Sequence, residues 1–253
     1  MINRLIDNYR QKSENKQAKA IAEAFSFHPD FERIYHYQVR KTGGVSLNLS
    51  FFQLNGKEPA GELYKPFETN QPQRIFAGQK VYVGWDKEFI EQGHYFYGFS
   101  HIPMHFLQLP PNSFTFTCLR DPVNRVLAHY DMLRYLRDNN PNHPSLKNDG
   151  KWLGNSLNDF LDNCPKSHLL NQLFMFSGGF NAEEAAENVK KLNFFMYMVS
   201  FEEDLTKLGK LLNLELELFQ EAPYKNREDI KESELTRLRE MLEPEYVLLK
   251  MLA

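Results

Sequence analysis

Arg33-Ile34-Tyr35-His36-Tyr37-Gln38-Val39-Arg40-Lys41-Thr42-Gly43-Gly44-Val45-Ser46 is the stretch on which the reading of the fold turns. Residues 33–39 carry the aromatic and β-branched side chains of a strand. Gly43 and Gly44 interrupt it. From Val45 onward, Leu47, Leu49, Phe51, Phe52 and Leu54 are the apolar positions of a helix. A strand passing through a short glycine loop into a helix is the building unit of α/β proteins.

The same alternation continues on the C-terminal side. Strand-like segments recur at residues 74–83, 95–99 and 113–119, and at 194–199, a continuous apolar run suited to a buried parallel strand. Helical patterns occupy residues 1–26, 86–92, 104–109, 122–137, 157–163, 168–176 and 182–191, and dominate the C-terminal part. Asn181 with Glu184 three residues on is a helix-start signal of the capping-box kind. The pattern predicts an α/β fold in three layers, a central mostly parallel sheet flanked by helices. Residues 55–73 hold Pro59, Gly61, Pro66 and Pro72, and residues 139–155 hold Pro141, Pro144, Gly150 and Gly154. Both are expected as loop-rich insertions in a single domain spanning residues 1–253.

Composition narrows the partners. The formal net charge is −3, so no global positive field attracts nucleic acid or anionic lipid, and any anion site must be built locally. Cys118 and Cys164 are too few for a disulfide framework, and Cys118 reads as a small core residue. No stretch approaches the roughly 20 apolar residues of a membrane span, and residues 1–9 do not read as a signal peptide. The expectation is a cytoplasmic protein whose partner is a small molecule, with neither nucleic acid nor membrane involved.

Two strand-to-helix loops carry chemistry. In Arg40-Lys41-Thr42-Gly43-Gly44-Val45-Ser46 the glycines let backbone N–H groups approach an anion, the helix start adds unpaired donors, and Lys41 adds a mobile charge. Thr42 and Ser46 offer hydroxyls. Lys41 precedes the glycines, unlike the order of a nucleoside-triphosphate P-loop. An ordinary glycine turn with a solvated lysine accounts for this loop alone about as well. In the second loop, Arg120-Asp121-Pro122 follows the strand at 113–119. Asp121 suits the N-cap and Pro122 the first helical position. Neither explains Arg120, whose fork at a strand end can grip a phosphate. Arg125 is expected to pair with Asp121, or else to be a second anion contact.

Taken together, Lys41-Thr42-Gly43-Gly44-x-Ser46 after one strand and Leu119-Arg120-Asp121-Pro122-x-x-Arg125-x-x-x-His129-Tyr130 after another resemble the sulfotransferases that use 3′-phosphoadenosine 5′-phosphosulfate (PAPS). The likeness runs from about residue 33 to about 227. It points to the branch containing heparan sulfate 2-O- and 6-O-sulfotransferases and their bacterial relatives. The resemblance implies a P-loop-like three-layer fold and a 5′-phosphosulfate site at Arg40, Lys41, Thr42, Gly43, Gly44, Val45 and Ser46, with Lys41 at the leaving oxygen. It implies a 3′-phosphate site at Arg120. Tyr97-Gly98-Phe99-Ser100-His101-Ile102 is similar to the family's Gly-His stretch, which makes His101 the expected base, with His105 and His94 in reserve and His129 structural. Lys225 and Arg227 are expected in a late loop over the nucleotide. Two departures stand out: Ala128 replaces the family's usual serine, and Arg40 stands where proline is common.

The implied reaction is transfer of a sulfuryl group from PAPS to a small-molecule hydroxyl, leaving 3′-phosphoadenosine 5′-phosphate (PAP), with no metal required. A carbohydrate O-sulfotransferase, a nucleotide-dependent kinase and an inactive nucleotide-binding module are the competing readings.

Overall fold

The computed structural model describes residues 2–69, 71–219 and 230–253. Helix α1 (Ile2–Ala24) precedes strand β1 (Arg33–Tyr37), and α2 (Gly44–Phe52) follows it. Then come α3 (Ala60–Tyr64), β2 (Gln73–Ala77), β3 (Lys80–Gly84), α4 (Lys87–Gln92), β4 (Tyr97–Ser100), β5 (Ser113–Leu119) and α5 (Pro122–Asn139). The C-terminal part runs α6 (Pro144–Asn148), α7 (Leu157–Asn163), α8 (Lys166–Leu169), α9 (Asn171–Phe176), α10 (Ala182–Lys190), β6 (Phe194–Tyr197), α11 (Phe201–Leu212), α12 (Glu232–Met241) and α13 (Glu243–Leu252).

The strands form one six-stranded sheet in the order β2-β3-β4-β1-β5-β6. Among the described residues only the β2–β3 pair is antiparallel. Side chains of a strand alternate between faces, and β1 shows how this divides the core. Tyr35 and Tyr37 join a cluster built with Val126, Tyr130 and Leu133 of α5 and with α9, α10, α12 and α13. Ile34 joins the other, with Leu47, Phe51 and Phe52 of α2 and Leu205, Leu208 and Leu212 of α11. Two helical layers therefore enclose the sheet, which is the three-layer arrangement expected from the alternation. Cys118 lies fully buried in the second cluster, as its apolar run implied.

β1 lies between β4 and β5, and the helices that follow β1 and β5 pack on opposite faces. This is a topological switch point, where the loops at adjacent strand ends part and leave a crevice.

Several local expectations are corrected. Residues 74–83 are a hairpin, because Gly78 (φ 54°) and Gln79 (φ 61°) supply the two left-handed positions of a two-residue turn. The 55–73 insertion is largely helical: Pro59 precedes α3, and Leu63, Tyr64 and Phe67 are buried. The 139–155 segment contains α6 and a further helical turn at Gly150–Trp152, whose Trp152 is buried. Residues 168–176 break at Leu170 into α8 and α9. Helical structure near residue 104 is a single turn, Met104–Phe106, and the last strand ends at Tyr197. Asn181 does cap α10 by accepting from the Glu184 N–H, whereas the Glu184 carboxylate binds the Ser177 hydroxyl.

Candidate functional site

The loops after β1, β4 and β5 meet in a cleft of about 1160 Å³. Arg40, Lys41, Gly43, Gly44, Val45 and Ser46 line it from β1, His101 from β4 and Arg120 from β5. Residues separated by up to 80 positions in sequence therefore share one concavity.

The first loop is shaped by its own hydrogen bonds. Thr42 is fully buried and donates its hydroxyl to the Val39 carbonyl at 3.0 Å, which closes the turn. That hydroxyl is directed into the loop, not into the cleft as expected from the sequence. Gly43 takes φ 80° as N-cap of α2 and provides no side-chain cap. The first N–H groups of an α-helix lack intrahelical partners, so this end presents donors and a positive dipole end to the cleft. Gly43 is favoured by its positive φ, and both glycines leave room for their neighbours: a Cβ on Gly43 would lie 2.6 Å from Met198 Sδ, and one on Gly44 2.5 Å from Gln38 Cδ, so either side chain would have to move. Lys41 itself sits at φ 63°, a strained region for a non-glycine residue. Its Nζ lies 3.5 Å from Met132 Sδ on α5, across the cleft from α2.

Arg120 joins the two loops. Its Nη1 donates to the Lys41 carbonyl at 3.0 Å, and its backbone N–H donates to Gln172 Oε1 at 2.8 Å. Asp121 caps α5 by accepting from the Asn124 N–H and also accepts from the Tyr246 hydroxyl. Arg125 does not pair with Asp121, nor does it line the cleft. It is 1 % exposed and binds the buried Glu245 carboxylate, with Nη2 3.2 Å from Oε2, and the carbonyls of His168 and Leu169. The apolar face of α5 carries it inward, where a buried guanidinium needs a carboxylate partner.

His101 is held in one tautomer. Its Nδ1 lies 2.6 Å from the Gln38 carbonyl, which can only accept, so Nδ1 carries the proton and Nε2 keeps its lone pair. Nε2 has no hydrogen bond among the described residues. Burial, reinforced by the charge of Arg40, holds the imidazole well below its ordinary pKa, so it is neutral near pH 7. Its ring rests on Trp85 at 4.6 Å, and Trp85 takes the left-handed φ of 61°. His94 and His105 do not line the cleft. His129 lies on the cleft wall, but its Nε2 is engaged by Asp149 Oδ2 at 3.2 Å.

Asp149 also faces Arg40, whose Nη1 is 3.7 Å away. Burial pushes the Asp149 carboxyl up, yet the bond with His129 and the charge of Arg40 outweigh it and hold it below the usual carboxylate range. Much of the charge of Arg40 is thereby answered inside the protein. Ala128 lines the cleft where the resemblance would have a hydroxyl. Lys225 and Arg227 lie outside the described residues. Glu68, Asp131, Asp149 and Glu202 complete the charged lining. Sequence reading missed Gln38, Trp85 and Asp149, each placed by contacts distant along the chain.

No known family model matches this chain, and no curated protein matches it in sequence. Among the described residues no group of His, Cys, Asp and Glu could hold a metal ion, and no helix is long and apolar enough to cross a membrane.

Proposed function

We propose that this chain is a PAPS-dependent O-sulfotransferase acting on a small-molecule hydroxyl. The observation that carries the reading is the convergence of three strand ends on one cleft: an uncapped glycine-led helix start, a neutral histidine of fixed tautomer, and an arginine tied to the first loop. When bound, PAPS supplies a sulfuryl group already activated by a phosphate leaving group.

The residues present fit that nucleotide. Donors at the start of α2, together with Lys41, suit the 5′-phosphosulfate. Arg120 suits the 3′-phosphate, with one contact fewer because of Ala128. Met198, Val199 and Phe201 give an apolar wall beside the first loop. In the reaction, His101 Nε2 takes the proton of the acceptor hydroxyl as its oxygen bonds to sulfur. Lys41 meets the charge that grows on the departing phosphate oxygen, as preorganised charges do in other group transfers. Beside Asp149, which is paired with Arg40 and His129, the lining also holds Glu68, Asp131 and Glu202, which suits a neutral or cationic small acceptor better than a polyanionic glycan.

Incubation with ³⁵S-labelled PAPS and a metabolite extract tests the reading. Label should pass to an organic acceptor with the wild type, and about 10²-fold or more slowly with His101→Ala while nucleotide binding holds. Near-wild-type transfer by His101→Ala rejects the base assignment. Failure of the wild type to bind PAPS rejects the function.

A further inference from the structure

Gln38 is 6 % exposed, lines the cleft, and lies against the first residue of α2. An ideal Cβ on Gly44 would be 2.6 Å from Gln38 Nε2, so the amide nitrogen occupies the space that any other residue at position 44 would fill. The other end of the amide is fixed from beneath: Asn48 Nδ2 donates to Gln38 Oε1 at 2.9 Å. Nε2 makes no hydrogen bond among the described residues, yet it is not one of the sealed, unsatisfied polar atoms of the interior. An amide donor that is otherwise buried, without a protein partner among the described residues and facing a cleft is available to whatever occupies that cleft.

A buried chain of hydrogen bonds sets which end of the amide faces outward. Tyr97 Oη donates to Asn48 Oδ1 at 2.7 Å, which leaves Asn48 Nδ2 as the donor to Gln38. With its only proton committed there, Tyr97 Oη accepts from His36 Nδ1 at 3.2 Å. His36 is fully buried, stacked 4.6 Å from the Phe116 ring, and burial lowers its pKa to about 3, so its Nε2 stays unprotonated. The polarity runs in one direction from His36 through Tyr97 and Asn48 to Gln38, and ends in an N–H donor at the cleft. The Gln38 backbone carbonyl at the same time orients His101. One residue therefore stands between the helix start and the histidine.

We infer that the Gln38 side-chain amide is an oxyanion-binding donor at the start of α2, held with its NH₂ outward by the buried His36–Tyr97–Asn48 chain. Identification of that oxyanion with the transferred sulfuryl group rests on the proposed function; the donor site itself does not. Gln38 is the group that touches the anion, and Asn48 is a positioning residue that acts through it.

Uniformly ¹⁵N-labelled protein titrated with inorganic sulfate, and separately with PAPS, tests this directly. The Gln38 side-chain NH₂ resonance should shift together with the backbone amides of Gly44, Val45 and Ser46. In Gln38→Met the backbone shifts should persist at about tenfold weaker sulfate affinity. Asn48→Asp removes the inner donor and turns the Gln38 amide round; it should abolish the side-chain shift while the fold, checked by the remaining amide spectrum, is kept. Should Asn48→Asp not fold, Gln38→Met alone decides. Shifts of the backbone amides without the Gln38 side chain overturn the proposal, as does unchanged sulfate affinity in Gln38→Met. Shifts with sulfate but none with PAPS leave the Gln38 donor standing and reject the proposed function instead.

Discussion

His101 is neutral before any ligand arrives, because burial and the charge of Arg40 both oppose its protonation. The sign of the resulting pH dependence follows. A base must be unprotonated, and a pKa below the ordinary value of about 6.5 keeps it so at lower pH. On the proposed function, kcat/KM should therefore stay level from pH 8 down through 6.5, and fall only at more acidic pH. A loss of activity centred at or above pH 6.5 in a pH–rate profile would contradict the assigned environment. At this scale the sequence was informative where local chemistry decides. Glycines after a strand and an arginine at a strand end mark Gly43, Gly44 and Arg120 without knowledge of the fold. It misplaced the Thr42 hydroxyl, which turns to the Val39 carbonyl three residues back, and it was silent on Asp149, whose partners Arg40 and His129 come from two other elements. Gln38 carries no motif; its importance arises from Asn48, Tyr97 and Gly44 closing around it.

The elements are joined to the site by buried polar links more than by loops. Glu245 of α13 is fully buried, accepts from Arg125, and accepts from both the backbone and the side chain of Gln172, whose Oε1 in turn receives the Arg120 N–H. The C-terminal helix thus holds the second loop in place. Glu245→Ala leaves a buried guanidinium without its carboxylate, a change that costs about 3–5 kcal/mol in comparable pairs. Urea unfolding should show a loss of that order; a loss under about 1 kcal/mol would mean that Arg125 finds compensation and that the link contributes little. No sequence pattern could name this pair, because its members lie 120 positions apart. Short-range chemistry similarly hid the β2–β3 hairpin, since only Gly78 marks a turn whose second position is Gln79. In the 55–73 and 139–155 segments, prolines that read as loop markers precede or begin short helices, at Pro59 for α3 and Pro144 for α6.

Across the whole molecule, the fold class was legible because period-two and period-3.6 patterns alternate along the chain, and that alternation leaves few arrangements other than a covered parallel sheet. Strand order was not legible, although it is what makes the site: β1 between β4 and β5, with the following helices on opposite faces, opens the crevice into which the loops point. The cleft then combines a positive helix end, Lys41 and Arg120 with a neutral base in a chain of net charge −3. Such a site should discriminate nucleotides by where their phosphates lie. Calorimetric titration of the wild type and of Arg120→Ala with PAP and with ADP is the most direct measurement. The account predicts that the wild type prefers PAP to ADP by at least tenfold, and that Arg120→Ala erases most of this preference by weakening PAP alone. Equal affinity of the wild type for PAP and ADP, or tighter binding of ADP, would contradict it.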